Sequence, residues 1–376
     1  MNPKFSTLQR LIPVAHSERM ICSCAALAAA VLACAALTAR AQNDAPQGRM
    51  ITSLAIAINP STHKVYAVNE SAGTVSVLDE RSGVTRGLKV GRGPISIAIN
   101  RLTDKVYVAN TESGSISVID GDRGEVIATI QGESHPYVLA VNEVTNKVYV
   151  TNTYSDAVTV IDGVTNTARA LKVGSADGIA VDSIHNEIFL MGYEDPNIRV
   201  VEVATGVVSK VVVGAHLWGI AFDESSDTLY LAHTGTADIV ALNGKTHEVR
   251  TLPAGTIPCA VAVNPVTRML YAVNYGDQTL SVIDRVRGKV VATLPVGEHP
   301  QAVAVDSARN LIYVANVHGN SVTAIDGAKN RVIGTYAAGR NPYALAVDPG
   351  TGQVFTANYG DPSLTAIDVP QSVERK

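Results

Sequence analysis

The sequence predicts an all-β fold, a β-propeller of four-stranded antiparallel blades, and three observations carry that expectation. An aromatic residue returns eight times, at Tyr66, Tyr107, Tyr149, Phe189, Tyr230, Tyr271, Tyr313 and Phe355, at spacings of 41, 42, 40, 41, 41, 42 and 42 residues. A period in the low forties built from short strands marks a radial or stacked repeat. Each period holds four apolar runs rich in Val, Ile, Ala and Tyr, broken by Gly, Asn, Asp and Thr, which read as strands and turns. No segment beyond the N-terminal region has a convincing 3.6-residue apolar period, so helix is expected to be nearly absent there.

The N-terminal 41 residues stand apart from the repeats. Lys4, Arg10 and Arg19 precede an apolar run from Met20 to Ala39, and Ala39-Arg40-Ala41 offers a small-x-small cleavage site before Gln42. This is the layout of a cleaved secretory signal peptide, which places the mature chain in the periplasm or outside the cell. An uncleaved anchor of about 20 residues and lipid attachment through Cys34 are the alternatives. Residues 42–50 then form a short extension, 51–369 one propeller domain and 370–376 a tail. Cys22, Cys24 and Cys34 all fall within the signal peptide, so Cys259 alone remains and no intramolecular disulfide can form. Stability must come from the core, and a chain of about 300 residues buries about three quarters of its unfolded surface. No apolar run after Ala41 is long enough to span a bilayer. Without residues 1–41 the chain carries 26 basic against 33 acidic residues, a net charge of −7. An acidic chain without basic clusters is a poor partner for nucleic acid.

The second repeat shows each strand in turn: Ile95–Asn100, Lys105–Asn110, Ser115–Asp120 and Glu125–Gln131. Proline near the start of the first strand, within a recurring Gly-x-x-Pro (Gly91/Pro94, Gly255/Pro258, Gly339/Pro342), forfeits no ladder bond. The strand bearing the aromatic is apolar on both faces, as expected of a sheet packed between neighbouring sheets, with the ring as the largest contact between units. The third strand ends in Asp79, Asp120, Asp162, Glu202, Asn243, Asp284, Asp326 and Asp368. Four residues beyond each stands Gly83, Gly124, Asn166, Gly206, His247, Gly288, Asn330 or Ser372. Gly, Asn and His accept positive φ most readily, so these acids read as formers of a type I turn with a bulge rather than as catalytic or metal groups. Seven outer strands are clear, from Val84–Val90 to Arg331–Ala337, against eight of every other kind. Eight blades with an incomplete last one is therefore the favoured count, and seven with surplus strands the alternative.

Lys-Val-Tyr-Val-Ala-Asn (105–110) and Lys-Val-Tyr-Val-Thr-Asn (147–152), with Val-Ile-Asp (118–120) and the Val-Gly that closes the outer strand, resemble the YVTN-type β-propeller repeat. The resemblance runs from Ile51 to about Val369. It implies the fold, and an origin among bacterial periplasmic or secreted proteins and archaeal surface-layer proteins. It implies no single activity, because such repeats occur in binding modules and related propellers include lactonases and lyases; function must come from a site.

In a four-stranded blade the loops before the first strand and after the second share one face around the channel. Those loops collect His135, Tyr137, Tyr154, Asp177, Tyr193, His216, Trp218, Tyr275, His299 and Tyr343, which are the candidate ligand-binding residues. Tyrosine and tryptophan suit recognition of a protein or a carbohydrate, having apolar bodies and polar tips. Units four and five depart most from the repeat, with Gly192 and His233 replacing the Asn that ends the second strand. A break in a tight repeat marks a place where function can override regularity. His216, His233 and Glu194 are the candidate acid–base groups if the chain is instead a hydrolase or lyase. A passive envelope component is the third reading. No metal ligand or cofactor is assigned, since HExxH, paired cysteines and calcium loops are absent, as are GxSxG and phosphate-cradling glycine loops. A metal site at the channel mouth could be assembled from His135, His216, His233 or His299, but nothing in their linear spacing supports one.

Overall fold

The computed structural model describes residues 54–359 and 364–369. The expected signal peptide with Cys34, the extension 42–50, the tail 370–376 and the turn position Ser372 lie outside the described residues. Among the described residues there is no helix, and hence none long and apolar enough to cross a membrane. Among the described residues eight antiparallel sheets follow one another along the chain, seven of four strands and the last of three. The count is eight, not seven. In the first seven blades strand order follows sequence order, so each is a simple meander closed by short turns.

The inner strands are Ile56–Asn59, Pro94–Asn100, Pro136–Asn142, Gly178–Asp182, Leu217–Asp223, Pro258–Asn264, Pro300–Asp306 and Pro342–Val347. Each touches its successor, and the last touches the first, so the ring closes around a channel. The pairing register explains why the repeat is so regular. Every recurring aromatic faces an alanine of its own inner strand: Ala57, Ala98, Ala140, Ala180, Ala221, Ala262, Ala304 and Ala346. A methyl group there leaves room for a ring on the same face. All eight rings are buried, and each packs into a layer shared with the next blade. Tyr149 meets Ile188 and Leu190 of blade 4, Phe189 stacks on Phe222 of blade 5 at 5.2 Å, and Phe355 meets Val65 and Val77 of blade 1.

The turns after the third strand behave as the sequence implied. Gly83, Gly124, Asn166, Gly206, His247, Gly288 and Asn330 all have positive φ, between 48° and 75°. The acid before them splints the turn: Asp79 Oδ1, for example, accepts from the amides of Arg81 (3.0 Å) and Ser82 (2.9 Å).

Polar clasps join neighbouring blades on this turn face. Lys64 and Lys105 start their second strands and donate across to the carbonyls of Gly121 and Gly163, each at 2.7 Å. Where the inner strand ends in Asn, as in blades 1, 2, 3 and 6, that Asn meets the left-handed residue of the next blade, as Asn100 does Asn146 at 2.9 Å. Between blades 5 and 6 the clasp is reversed. Thr228 takes the lysine's position, Arg285 takes the glycine's, and the Arg285 guanidinium reaches back to Asp223, Ser226 and the Tyr230 hydroxyl.

Candidate functional site

The opposite face carries the loops that the sequence singled out, and one backbone device positions them. The residue just before the inner strand adopts positive φ in six blades: Gly93, His135, His216, Ile257, His299 and Asn341, between 51° and 64°. Its carbonyl accepts an amide from the loop after the second strand, as His135 does from Thr153 (3.1 Å), His216 from Thr234 (3.0 Å) and His299 from Val317 (2.9 Å). Three rim histidines therefore occupy the same left-handed station, and each side chain is presented beside the adjoining loop.

What they meet there is aromatic. His135 packs edge-on against Tyr154 with ring centroids 4.7 Å apart. Tyr193 lies 5.2 Å from His216 and 6.1 Å from Trp218. Tyr275 lies 5.1 Å from His299, which in turn lies 4.0 Å from His318. Tyr343 and Tyr359 sit 6.3 Å apart. Tyr154 is 72% exposed, and His216, His318 and Tyr359 are exposed as well. Tyr137 and Tyr343 are instead buried in the inter-blade core, so Tyr154 and Tyr359 supply the accessible rings of blades 3 and 8. Burial pushes the Tyr343 hydroxyl well above the ordinary tyrosine range, with Glu70 adding to the effect.

Asp177 is a loop splint. Its Oδ2 accepts from the Tyr193 amide at 2.9 Å, and its own amide donates to the Met191 carbonyl at 2.8 Å. The two irregular blades prove to be internally compensated. Elsewhere the Asn ending the second strand donates to a Ser or Thr of the third, as Asn110 does to Ser117 at 2.9 Å. In blade 4 that pair becomes Gly192 and Arg199, and the buried Arg199 guanidinium takes over by donating to the carbonyls of Val173 and Ser175. In blade 5 His233 fills the Asn position, bonding Thr236 Oγ1 at 2.8 Å and facing Asp238 at 3.2 Å. A Cβ on Gly214 would stand 2.7 Å from the His233 ring, so this imidazole is wedged beneath the loop. His216 Nδ1 and Glu194 Oε1 are 3.9 Å apart, beyond hydrogen-bonding distance. The three candidate acid–base groups thus do not form one bonded constellation.

Among the candidate histidines only His299 joins a cluster of metal-ligating type, with Glu298 and His318, whose donor atoms lie within 4.8 Å of one another. Burial first, and then the neighbouring His318, holds the His299 imidazole below its ordinary value. Sequence reading could not pair Glu298 and His318 with His299, because His318 lies in a different loop, after the second strand. Arg199 escaped it, although an arginine at a third-strand position otherwise held by Ser or Thr, in the very blade lacking the Asn, was a visible signal.

Inward from the loops runs the channel, with a cavity volume of about 790 Å³. Its wall is aliphatic: Ala57, Ala98, Ala140, Ala180 and Ala221 line it, with Trp218 and Asp177 toward the loop face. At the other end Arg101 holds Glu143 through two bonds of 2.9 and 3.0 Å, and Ser183 donates to Glu224.

No family model matches the chain, and no curated protein matches it. Solved structures do. Hydrazine synthase of Kuenenia stuttgartiensis is similar with a TM-score of 0.59 and 18% identity, over 87% of this chain and 99% of that one. The dihydro-heme d1 dehydrogenase NirN, in complex with DHE, is similar with a TM-score of 0.67 and 11% identity, over 80% of this chain and 69% of that one. At such identities the likeness is one of fold: all are β-propeller proteins.

Proposed function

We propose that this chain is an exported recognition module that binds a protein or carbohydrate partner across its loop face. The observation that supports it is the set of aromatic–imidazole and aromatic–aromatic pairs placed around one mouth of the ring, each held by a loop that the left-handed station fixes. Rings held in place offer apolar area at little entropic cost, and imidazole and hydroxyl tips offer hydrogen bonds. Glu133, Glu194 and Glu298 stand among them as acceptors, and Ser155 already donates to Glu133 at 3.2 Å. The resemblance of the tandem repeat to YVTN-type propellers and the expected signal peptide are the sequence features that support this reading. A hydrolase or lyase reading draws on less, because His216 and Glu194 are 3.9 Å apart and His233 is occupied elsewhere. General acid–base work needs groups within about 3 Å of the proton they move.

The test is a triple variant, Tyr154→Ala with Tyr193→Ala and Tyr275→Ala, compared with the unaltered protein on a glycan array and in capture from periplasmic extract. Loss of a ligand seen with the unaltered protein supports the proposal, and the array that shows it identifies the class. Undiminished binding by the triple variant removes it.

A further inference from the structure

The seam where blade 8 meets blade 1 holds a trio of metal-ligating side chains, and among the described residues only the seam of blades 4 and 5 has a comparable one. A nitrogen of His63 and one carboxylate oxygen each of Glu80 and Asp348 lie within 4.8 Å of one another. They occupy the clasp positions already described. Asp348 follows the inner strand of blade 8, where blade 2 has Asn100. His63 is the left-handed residue of blade 1, with φ of 55°, where blade 3 has Asn146. Glu80 follows the third strand, where blade 2 has Gly121. At this seam amide and carbonyl chemistry has given way to three groups that ligate metals.

The hydrogen bonding leaves the trio unfinished. Asp348 is fully buried, at 0% exposure. Its Oδ1 accepts from the amides of Gly350 (2.6 Å) and Thr351 (3.1 Å), which fixes the carboxylate plane. Its Oδ2 has no donor, and neither has the buried Oε2 of Glu80. Two buried carboxyl oxygens that face each other without another donor are satisfied either by a proton shared between them or by a cation. The ligands are also held in advance, because the Glu80 amide donates to the His63 carbonyl at 2.9 Å. His63 and Glu80 are only half-buried, which leaves an approach from the turn face.

We propose that His63, Glu80 and Asp348 bind one divalent cation of the zinc class, which bridges the first and last blades. An imidazole beside two carboxylates suits Zn²⁺ and its neighbours, whereas Ca²⁺ and Mg²⁺ take all-oxygen sets. The location gives such a cation a purpose. Elsewhere consecutive blades follow one another along the chain, whereas blades 8 and 1 come from its two ends, and among the described residues blade 8 has three strands. The similar group at the seam of blades 4 and 5 differs, because His185 Nδ1 already lies 2.6 Å from Asp182 Oδ2 and pairs with it.

The experiment titrates Zn²⁺ by calorimetry into the full chain stripped with EDTA, and follows thermal unfolding in parallel. Asp348→Asn, Glu80→Gln and His63→Gln are carried alongside, with circular dichroism to verify their folds. Asp348→Asn keeps the Oδ1 that organises the turn, and the half-buried Glu80→Gln carries the test should Asp348→Asn fail to fold. The proposal expects each variant to lose one equivalent of Zn²⁺ relative to the unaltered protein. It also expects Zn²⁺ to raise the melting temperature of the unaltered protein and not of the variants, since a ligand bound only by the native state stabilises it. X-ray absorption should show one imidazole among oxygen ligands. Equal stoichiometry and equal thermal response in protein and variants would overturn it, as would an unaltered protein that takes up no Zn²⁺ while Glu80→Gln raises its metal-free melting temperature. That last result would mean the two carboxyls share a proton.

Discussion

Replacing Arg285 with glycine should unfasten blades 5 and 6. Arg285 and Asp223 are 5% and 6% exposed, and the guanidinium bonds both Asp223 and Ser226. Removing one partner leaves the other a buried, unpaired charge, and losses of this kind run at about 3–5 kcal/mol. For a chain of this size each kcal/mol moves the melting temperature by about 2 °C, so a fall of about 6–10 °C is expected. The seam of blades 1 and 2 supplies the repair. Asp223→Asn and Thr228→Lys, added to Arg285→Gly, rebuild the clasp in which Lys64 reaches the Gly121 carbonyl at 2.7 Å, and most of the loss should return. The pH dependence follows from Asp223. Burial pushes its carboxyl up, but hydrogen bonds from Ser226 and Ser225, with the Arg285 cation, outweigh this and hold it below its ordinary 3.8. A depressed carboxyl contributes stability that is present above its unfolded value and lost as pH falls through its folded one, so the gap between protein and variant should narrow below about pH 4. Thermal and urea unfolding measure all of this. A single variant that costs under about 1 kcal/mol, or a triple variant no more stable than the single, would refute the reasoning.

Cys259 should be inert in the native state. Burial pushes its thiol up to about 12, so a chromogenic disulfide reagent at pH 8 should react only after denaturant is added. Ile257 is a β-branched residue held at φ of 51°, and Ile257→Gly should raise stability by about 1 kcal/mol, read from urea unfolding. The depressed His299 imidazole leaves the unfolded chain binding more protons between its folded and unfolded values, so its contribution to stability falls as pH drops below about 6.5. His318→Gln should raise the His299 value in an NMR titration; no movement would show that burial acts alone.

The period of the aromatics was enough to locate nearly every strand. The second blade spans Pro94–Asn100, Lys105–Asn110, Ser115–Asp120 and Glu125–Gln131, one residue longer than expected. Turn chemistry was equally legible, because an Asp followed four residues later by Gly, Asn or His encodes its geometry locally. The sequence also showed which loops share a face, since antiparallel strands make that a matter of counting.

Which groups meet on that face was not open to counting. His299 finds Tyr275 across a blade boundary and His318 within its own blade. Tyr137 and Tyr343, taken from the sequence as loop residues, are instead the second residues of the inner strands Pro136–Asn142 and Pro342–Val347 and turn into the core. The breaks at Gly192 and His233 look functional in linear form, yet Arg199, Thr236 and Asp238 make them structurally complete. Most remote of all is the trio at the seam, where Asp348 meets residues from the other end of the chain. Local chemistry sets the conformation of a strand or turn within a few residues, and the chain carries that information directly. Contacts between blades depend on how whole sheets twist and stack, so only the closed ring decides them.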